Sequence, residues 1–130
     1  MIQRRASRDL ADRILGLALA LSLTLPALAG CDEARKQECD SLLAAMAPLE
    51  QGTPSAETVD AVSKQVVGLA LHDQPLGVYS KNYRATLDVL SRTLKLKAGG
   101  QAPDGTEDVI NQNLREARTD RADVARYCSK

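Results

Sequence analysis

This 130-residue sequence contains three cysteines, and their spacing limits the chemistry that they can perform. Cys31, Cys39 and Cys128 do not form a C-x-x-C pair, and no cluster of cysteine and histidine has the spacing of a zinc site. Redox catalysis by a dithiol and a structural zinc are therefore disfavoured. The remaining chemistry is a disulfide between two of these thiols, or covalent modification of one of them.

The acidic residues and the one histidine offer little for catalysis. His72 precedes Asp73, a pair also found in metal-dependent phosphohydrolases, but such sites need several histidines. We interpret His72 as a polar residue at the end of a helix. Asp104, Glu107 and Asp108 do not follow the spacing of a calcium loop. There is also no Ser-His-Asp set without His72 and no glycine-rich phosphate loop, so the sequence predicts no catalytic residue, no metal site and no cofactor.

The first thirty residues have the composition of an export signal. Residues 1–13 are basic and polar, and residues 14–31 carry no charge. A basic segment followed by an apolar one is typical of an N-terminal signal peptide. The apolar run is short for a membrane-spanning helix, which needs roughly 20 residues, and it contains Pro26 near its end. We therefore predict that residues 1–30 are a signal peptide that is removed.

A cysteine follows the apolar run directly, in the order Leu28-Ala29-Gly30-Cys31. This order resembles the lipobox of bacterial lipoproteins, in which an apolar residue and two small ones precede the lipidated cysteine. The resemblance implies a diacylglyceryl group on the Cys31 thiol, cleavage after Gly30 by signal peptidase II, and acylation of the new amine. Two or three acyl chains, at about 0.8 kcal/mol per buried methylene, give stable membrane anchoring. Two alternatives stay open: secretory cleavage after Ala29, and an uncut signal anchor.

An exported protein with three cysteines has one thiol too many for disulfide pairing. Lipidation of Cys31 removes this oddity and leaves Cys39 and Cys128, which we predict to form a disulfide. On the chain-entropy model, closing a loop of about 90 residues contributes roughly 4 to 5 kcal/mol at most. The alternative is a pair of buried thiols that act as small hydrophobic groups.

Apolar residues recur at helical spacing in four stretches after the signal peptide. The first predicted helix covers residues 36–50. The second covers about 54–72, with Thr53 as its N-cap and Pro54 as its first helical residue.

The third predicted helix has the most regular apolar face. Pro75 and Gly77 predict a break or a tight turn before it. Its apolar residues then follow at spacings of four, four, three and four residues: Tyr79, Tyr83, Leu87, Leu90 and Leu94.

The fourth predicted helix begins with a capping box formed by Asp104 and Glu107. Arg121 falls in the register of its apolar face, so this side chain lies at the rim of the core or pairs with a carboxylate. The inner face of this helix consists of Ile110, Leu114, Ala117, Val124 and Cys128.

These segments predict an all-α fold, an antiparallel four-helix bundle over residues 39–130 behind a lipidated tether, 31–38. An even number of antiparallel helices brings both ends of a bundle together, so Cys39 and Cys128 can meet. The helix boundaries come from periodicity and caps, so this agreement supports both predictions. An extended tether spans roughly 25 Å and keeps the bundle close to the membrane.

The charge distribution argues against nucleic-acid binding. The sequence has 17 basic and 17 acidic residues, of which residues 1–30 hold four and two, which leaves 13 and 15 in the mature chain. They are scattered, without the basic stripe expected of a protein that tracks phosphates. We therefore predict no nucleic-acid partner.

Further residues carry a resemblance to a family. An L-x-L-x-D stretch, Leu69 to Asp73, precedes Y-x3-Y-R, Tyr79 to Arg84, between one early and one C-terminal cysteine. This arrangement resembles the small, uncharacterised helical lipoproteins that high-GC Gram-negative bacteria often encode in several copies. The resemblance implies a location in the cell envelope and no established activity. Asp32 after the lipidated cysteine is similar to the inner-membrane retention signal of enteric bacteria, so we expect the periplasmic face of the inner membrane.

The function expected from the sequence is a structural or interaction module, not an enzyme. A stapled bundle anchored to a membrane presents a helical face to a possible envelope protein partner. The alternative is a carrier that encloses a small apolar ligand in the core of the bundle.

Overall fold

The computed structural model describes residues 27–130, with side chains from residue 30 onward. Most of the predicted signal peptide lies outside the described residues. The described chain is helical and contains no strand. Its elements are α1 (Ala27–Met46), a 3-10 turn (Ala47–Leu49), α2 (Ala56–Val67), α3 (Gln74–Ala98) and α4 (Thr106–Cys128).

The chain divides into two compact units, Met1–Asp32 and Glu33–Lys130. The bundle is the second unit, to which α1 contributes residues 33–46. All four helices supply side chains to one core, which confirms the predicted four-helix bundle. The largest fully buried side chains are Leu42, Met46, Leu49, Val59, Val66, Leu76, Tyr83, Leu87, Leu90, Ile110 and Val124.

Contacts between helices give their directions. Cys39 of α1 is bonded to Cys128 at the end of α4. Lys97 at the end of α3 forms an ion pair with Glu107 at the start of α4. Asp60 in the first half of α2 pairs with Lys95 near the end of α3, and Glu38 of α1 bonds to the backbone of His72, just after α2. Successive helices therefore run in opposite directions, as the predicted bundle requires.

α2 begins later and ends earlier than its apolar pattern predicts. Its N-cap is Ser55, which has an extended backbone conformation. The side-chain oxygen of Ser55 accepts a hydrogen bond from the N–H of Thr58 at 3.2 Å. The predictions of Thr53 as the cap and Pro54 as the first helical residue are therefore wrong. The helix ends at Val67, with Gly68 as its C-cap, and residues 68–73 are not helical.

Pro75 and Gly77 lie inside the first turn of α3, so the break or tight turn predicted at these residues is wrong. Asp73 is the N-cap, and its Oδ1 accepts a hydrogen bond from the N–H of Leu76 at 3.0 Å. Proline is well tolerated in the first helical turn, where its missing N–H has no partner to lose. The pattern of Pro75 and Gly77 marks the start of the helix.

α4 has no side-chain cap, so the predicted capping box of Asp104 and Glu107 is wrong. Gly105 stands between Asp104 and the helix with φ of 85°. This left-handed conformation suits glycine and places Asp104 too early to cap the first turn. The hydroxyl of Thr106 donates instead to the carbonyl of Pro103 at 2.6 Å.

Two arginines of α4 hold the end of α1 and the loop that follows it. Arg118 donates to the carbonyls of Leu49, at 3.2 Å, and Gly52, at 2.7 Å. Arg121 donates to the carbonyl of Leu43 at 3.3 Å and lies 3.7 Å from the carboxylate of Glu50. Of the two alternatives predicted for Arg121, the structure has the carboxylate partner, and the side chain is only 29% exposed. Carbonyls that the end of a helix leaves without partners are bonded by these guanidinium groups.

The segment predicted as an extended tether is helical. Residues 31–38 belong to α1, so the estimate of its reach as an extended chain does not hold. A helix rises about 1.5 Å per residue, less than half of an extended strand.

Candidate functional site: the disulfide end and the outer face of α3

The disulfide end of the bundle is defined here by the Cys39–Cys128 bond and the side chains around it. The two sulfur atoms are 2.08 Å apart and the Cα atoms 5.9 Å apart, across a sequence separation of 89 residues. Cys39 is buried and Cys128 is partly buried. The predicted pairing is confirmed, and it joins the start of the bundle to its last helix.

Glu38, next to the disulfide, bonds to the backbone before α3. Its carboxylate accepts hydrogen bonds from the N–H of His72, at 3.0 Å, and of Asp73, at 2.9 Å. His72 therefore contributes a backbone N–H group to this end of the bundle, and the residue as a whole is exposed to solvent. Sequence analysis missed Glu38, because a contact across 34 or 35 residues leaves no local pattern.

Asp73 has a second partner besides the first turn of α3. The hydroxyl of Tyr127 lies 3.1 and 3.0 Å from its two carboxylate oxygens. The ring of Tyr127 is 6.0 Å from that of Tyr79, and the guanidinium of Arg35 lies 5.8 Å from its centre. Partial burial, together with the hydrogen bond and the charge of Asp73, raises the pKa of Tyr127. The disulfide end is therefore fixed by polar contacts as well as by a covalent bond.

Cys31, the predicted lipidation site, is exposed in the first part of α1. The disulfide joins the other two cysteines, as the parity of cysteines predicted. The side chains of Leu28 and Ala29 lie outside the described part of the chain. Within that part, no helix is both long and apolar enough to cross a bilayer.

A polar groove lies on the surface between α3 and α4. Its volume is about 570 Å³. Burial, with repulsion from Asp123 and Glu116, raises the pKa of Asp120 at one side of it. The groove is lined by Asn82, Thr86, Gln112, Arg115, Glu116, Thr119 and Asp120. These residues are all polar and offer hydrogen bonds and charges, while the atoms that face the groove are both polar and apolar.

Helix α3 is apolar on two opposite faces. One face enters the core, where Tyr83 is 1% exposed and burial raises the pKa of its hydroxyl. The opposite face carries what we call the outer stripe, formed by Val78, Ala85, Val89 and Leu96. Val78 is 53%, Val89 46% and Leu96 45% exposed. Scattered exposed apolar residues are normal on a protein surface, but this group is aligned along one helix.

The described residues contain no group of three or more His, Cys, Asp and Glu side chains that could hold a metal ion. In this part of the chain every buried side-chain nitrogen and oxygen has a hydrogen-bond partner. The buried polar side chains of this part are therefore hydrogen-bonded within the fold. The described residues therefore offer two features: an exposed apolar stripe on α3 that another surface can contact, and a disulfide end that is held by covalent and polar contacts.

No protein-family model, no curated protein and no solved structure matches this chain.

Proposed function

We propose that this protein is a lipoprotein of the bacterial cell envelope, anchored through Cys31, whose bundle is a structural or interaction module. The outer stripe of α3 is the observation that carries the proposed interaction. An aligned apolar face on a charged helix is typical of a surface that contacts another protein.

The anchor is supported by the sequence before the bundle. An uncharged run from residue 14 leads directly to Leu28-Ala29-Gly30-Cys31, the order that resembles a lipobox. Two or three acyl chains there would hold the mature chain at the membrane surface. We place that surface in the envelope, with the periplasmic face of the inner membrane favoured because Asp32 follows Cys31.

No observation favours the alternative function of an apolar-ligand carrier. The groove described above is open to solvent, and the apolar side chains of the core pack on one another. An apolar ligand needs an apolar pocket that encloses most of its surface.

The test of the anchor is the intact mass of the protein extracted from the membrane fraction of its host. We expect the mass of residues 31–130 plus acyl chains, and a rise of about 2 Da on reduction of one disulfide. The Cys31→Ser variant should lose the acyl mass and leave the membrane fraction. The Cys39→Ser/Cys128→Ser variant is the control, because it should lose the 2 Da change and keep the acyl chains. An unacylated wild-type chain would overturn the proposed anchor.

The test of the interaction module is affinity purification after cross-linking in intact cells. Wild-type protein should capture a reproducible partner, and Val89→Glu should capture less of it. Val67→Glu is the matched control, because Val67 is 53% exposed on α2, outside the outer stripe. Equal capture by wild type and Val89→Glu would refute an interaction through α3.

A further inference from the structure

We propose that the loop between α2 and α3 lies against the surface of the membrane that holds the anchor, with its apolar side chains in contact with lipid. The loop residues concerned are 68–71, Gly68-Leu69-Ala70-Leu71, which we call the apolar loop. This second membrane contact rests on the proposed anchor at Cys31, because lipidation there is what brings the bundle to a membrane.

The apolar loop differs in composition from the loops at the opposite end of the bundle. Residues 50–55 lead to α2 and residues 99–105 join α3 to α4, and neither segment contains a valine, leucine, isoleucine or aromatic residue. Surface loops are usually polar, because their backbone groups face water. The apolar loop has two leucines in four residues. The two ends of the bundle therefore suit different surroundings.

The apolar loop is accessible from outside the bundle. Gly68 and Ala70 are exposed. Leu69 and Leu71 pack against the core but are only partly buried. A loop that served only to close the core would bury both leucines. Transfer of their exposed apolar surface from water to lipid is favourable.

The charges around the apolar loop are arranged as a membrane surface requires. Of the sixteen residues between Lys64 and Lys81, Asp73 is the one Asp, Glu, Lys or Arg. Its carboxylate accepts hydrogen bonds from the N–H of Leu76 and the hydroxyl of Tyr127. Lys64 and Lys81 are exposed on the two sides of this stretch. Lysine side chains in such positions extend their ammonium groups to lipid phosphates while their stems cover apolar surface.

Glu38 holds the apolar loop close to the proposed anchor. Its carboxylate accepts hydrogen bonds from the N–H groups of His72, at 3.0 Å, and Asp73, at 2.9 Å, directly after the loop. Glu38 follows Cys31 by seven residues, so the chain between them spans at most about 25 Å in any conformation. Lipid on Cys31 therefore gives the loop a high effective concentration at the membrane surface, where a small apolar contact is sufficient.

The experiment uses full-length, lipidated protein in vesicles of phosphatidylethanolamine and phosphatidylglycerol. Ala70→Cys carries the environment-sensitive fluorophore nitrobenzoxadiazole on the apolar loop. Gln101→Cys is the matched control, because it is also an exposed loop position and lies at the other end of α3, a helix about 37 Å long. We expect emission to shift to the blue, and lipids with spin-labelled chains to quench it, for Ala70→Cys alone. Wild-type protein measures any labelling of the native cysteines.

The intact mass of each labelled protein separates two kinds of failure. Acyl chains on the protein, together with equal quenching at both label positions, would overturn the membrane contact and leave the proposed anchor standing. A wild-type chain without acyl chains would overturn the anchor and, with it, the second contact.

Hydrogen exchange tests the contact without a label. In vesicles, the backbone amides of Ala70 and Leu71 should exchange several-fold faster in Ala70→Glu than in wild type, after correction for intrinsic rates, because a charge disfavours contact with lipid. Gln101→Glu is the matched control and should exchange like wild type, and circular dichroism should show equal helix content in all three. Protection of the loop in native membranes that disappears in pure lipid vesicles would show a protein partner and overturn lipid as the occupant.

Discussion

Glu38 joins parts of the chain that are distant in sequence. Its carboxylate lies on α1 and bonds to two successive N–H groups before α3, next to the covalent link between α1 and α4. Arg118 does the corresponding work near the other end of α1, where it bonds to carbonyls of the following loop. These two side chains form hydrogen bonds to backbone groups that no helix satisfies. Such bonds fix the position of irregular backbone more specifically than hydrophobic packing alone.

The charge of Glu38 should matter for stability. We expect Glu38→Gln to lower the free energy of unfolding by about 1 kcal/mol, because hydrogen bonds to a charged acceptor are stronger than neutral ones. Glu33→Gln, on the exposed surface of the same helix, should change it by less than about 0.5 kcal/mol. Urea unfolding of both variants checks this, and equal effects would contradict the role given to Glu38.

At the scale of helices, α2 shows where local sequence is ambiguous. Thr53 before Pro54 and Ser55 before Ala56 are both acceptable N-termini, and the structure has the second. The same holds for α4, where Gly105 separates the helix from Asp104, the acidic residue that the sequence pattern predicts as its cap. Helix ends depend on which of several weak local bonds the surrounding packing permits.

This difference gives a test with two neighbouring residues. Ser55→Ala should lower the free energy of unfolding by about 1 kcal/mol, since it removes the cap from the N–H of Thr58. Thr53→Ala should have an effect below about 0.5 kcal/mol. Denaturant titration of the two variants decides between the two N-termini. A larger loss in Thr53→Ala would favour the one that the sequence pattern indicated.

The existence of the four helices, and the face that each buries, could be predicted because both follow from the spacing of apolar residues. Leu87, Leu90 and Leu94 of α3 are buried as that spacing requires. The outer stripe could not be predicted, because its valines lie among charged residues and their alignment is evident only once the core face is known. The contacts of Glu38 and Tyr127 could not be predicted, since they depend on how separate helices meet.

For the whole molecule, the disulfide closes nearly the entire bundle into one ring. The 89-residue separation of Cys39 and Cys128 makes this a large restriction on the unfolded chain. Small helical domains have unfolding free energies of about 5–15 kcal/mol, so the bond accounts for a large share. The odd number of cysteines, with Cys31 taken as the lipidation site, predicted this bond from the sequence, and the even number of helices agreed with it.

Removing the disulfide should therefore be the most damaging change to stability. We expect Cys39→Ser/Cys128→Ser to lower the free energy of unfolding by up to about 4 to 5 kcal/mol. Thermal unfolding with and without reductant measures it, and wild type under reductant should approach the variant. A loss below about 1 kcal/mol would mean that the core alone sets the stability.

The position of the disulfide also determines how the molecule carries mechanical load. If Cys31 anchors the chain as proposed, a pull on the start of α1 reaches Cys39 and divides there between α1 itself and, through the sulfur atoms, the end of α4. A partner bound on α3, as proposed, would then be connected to the proposed anchor by two covalent routes around the ring. Tension between membrane and partner would then be shared by both routes, so α1 and α4 would carry the load together.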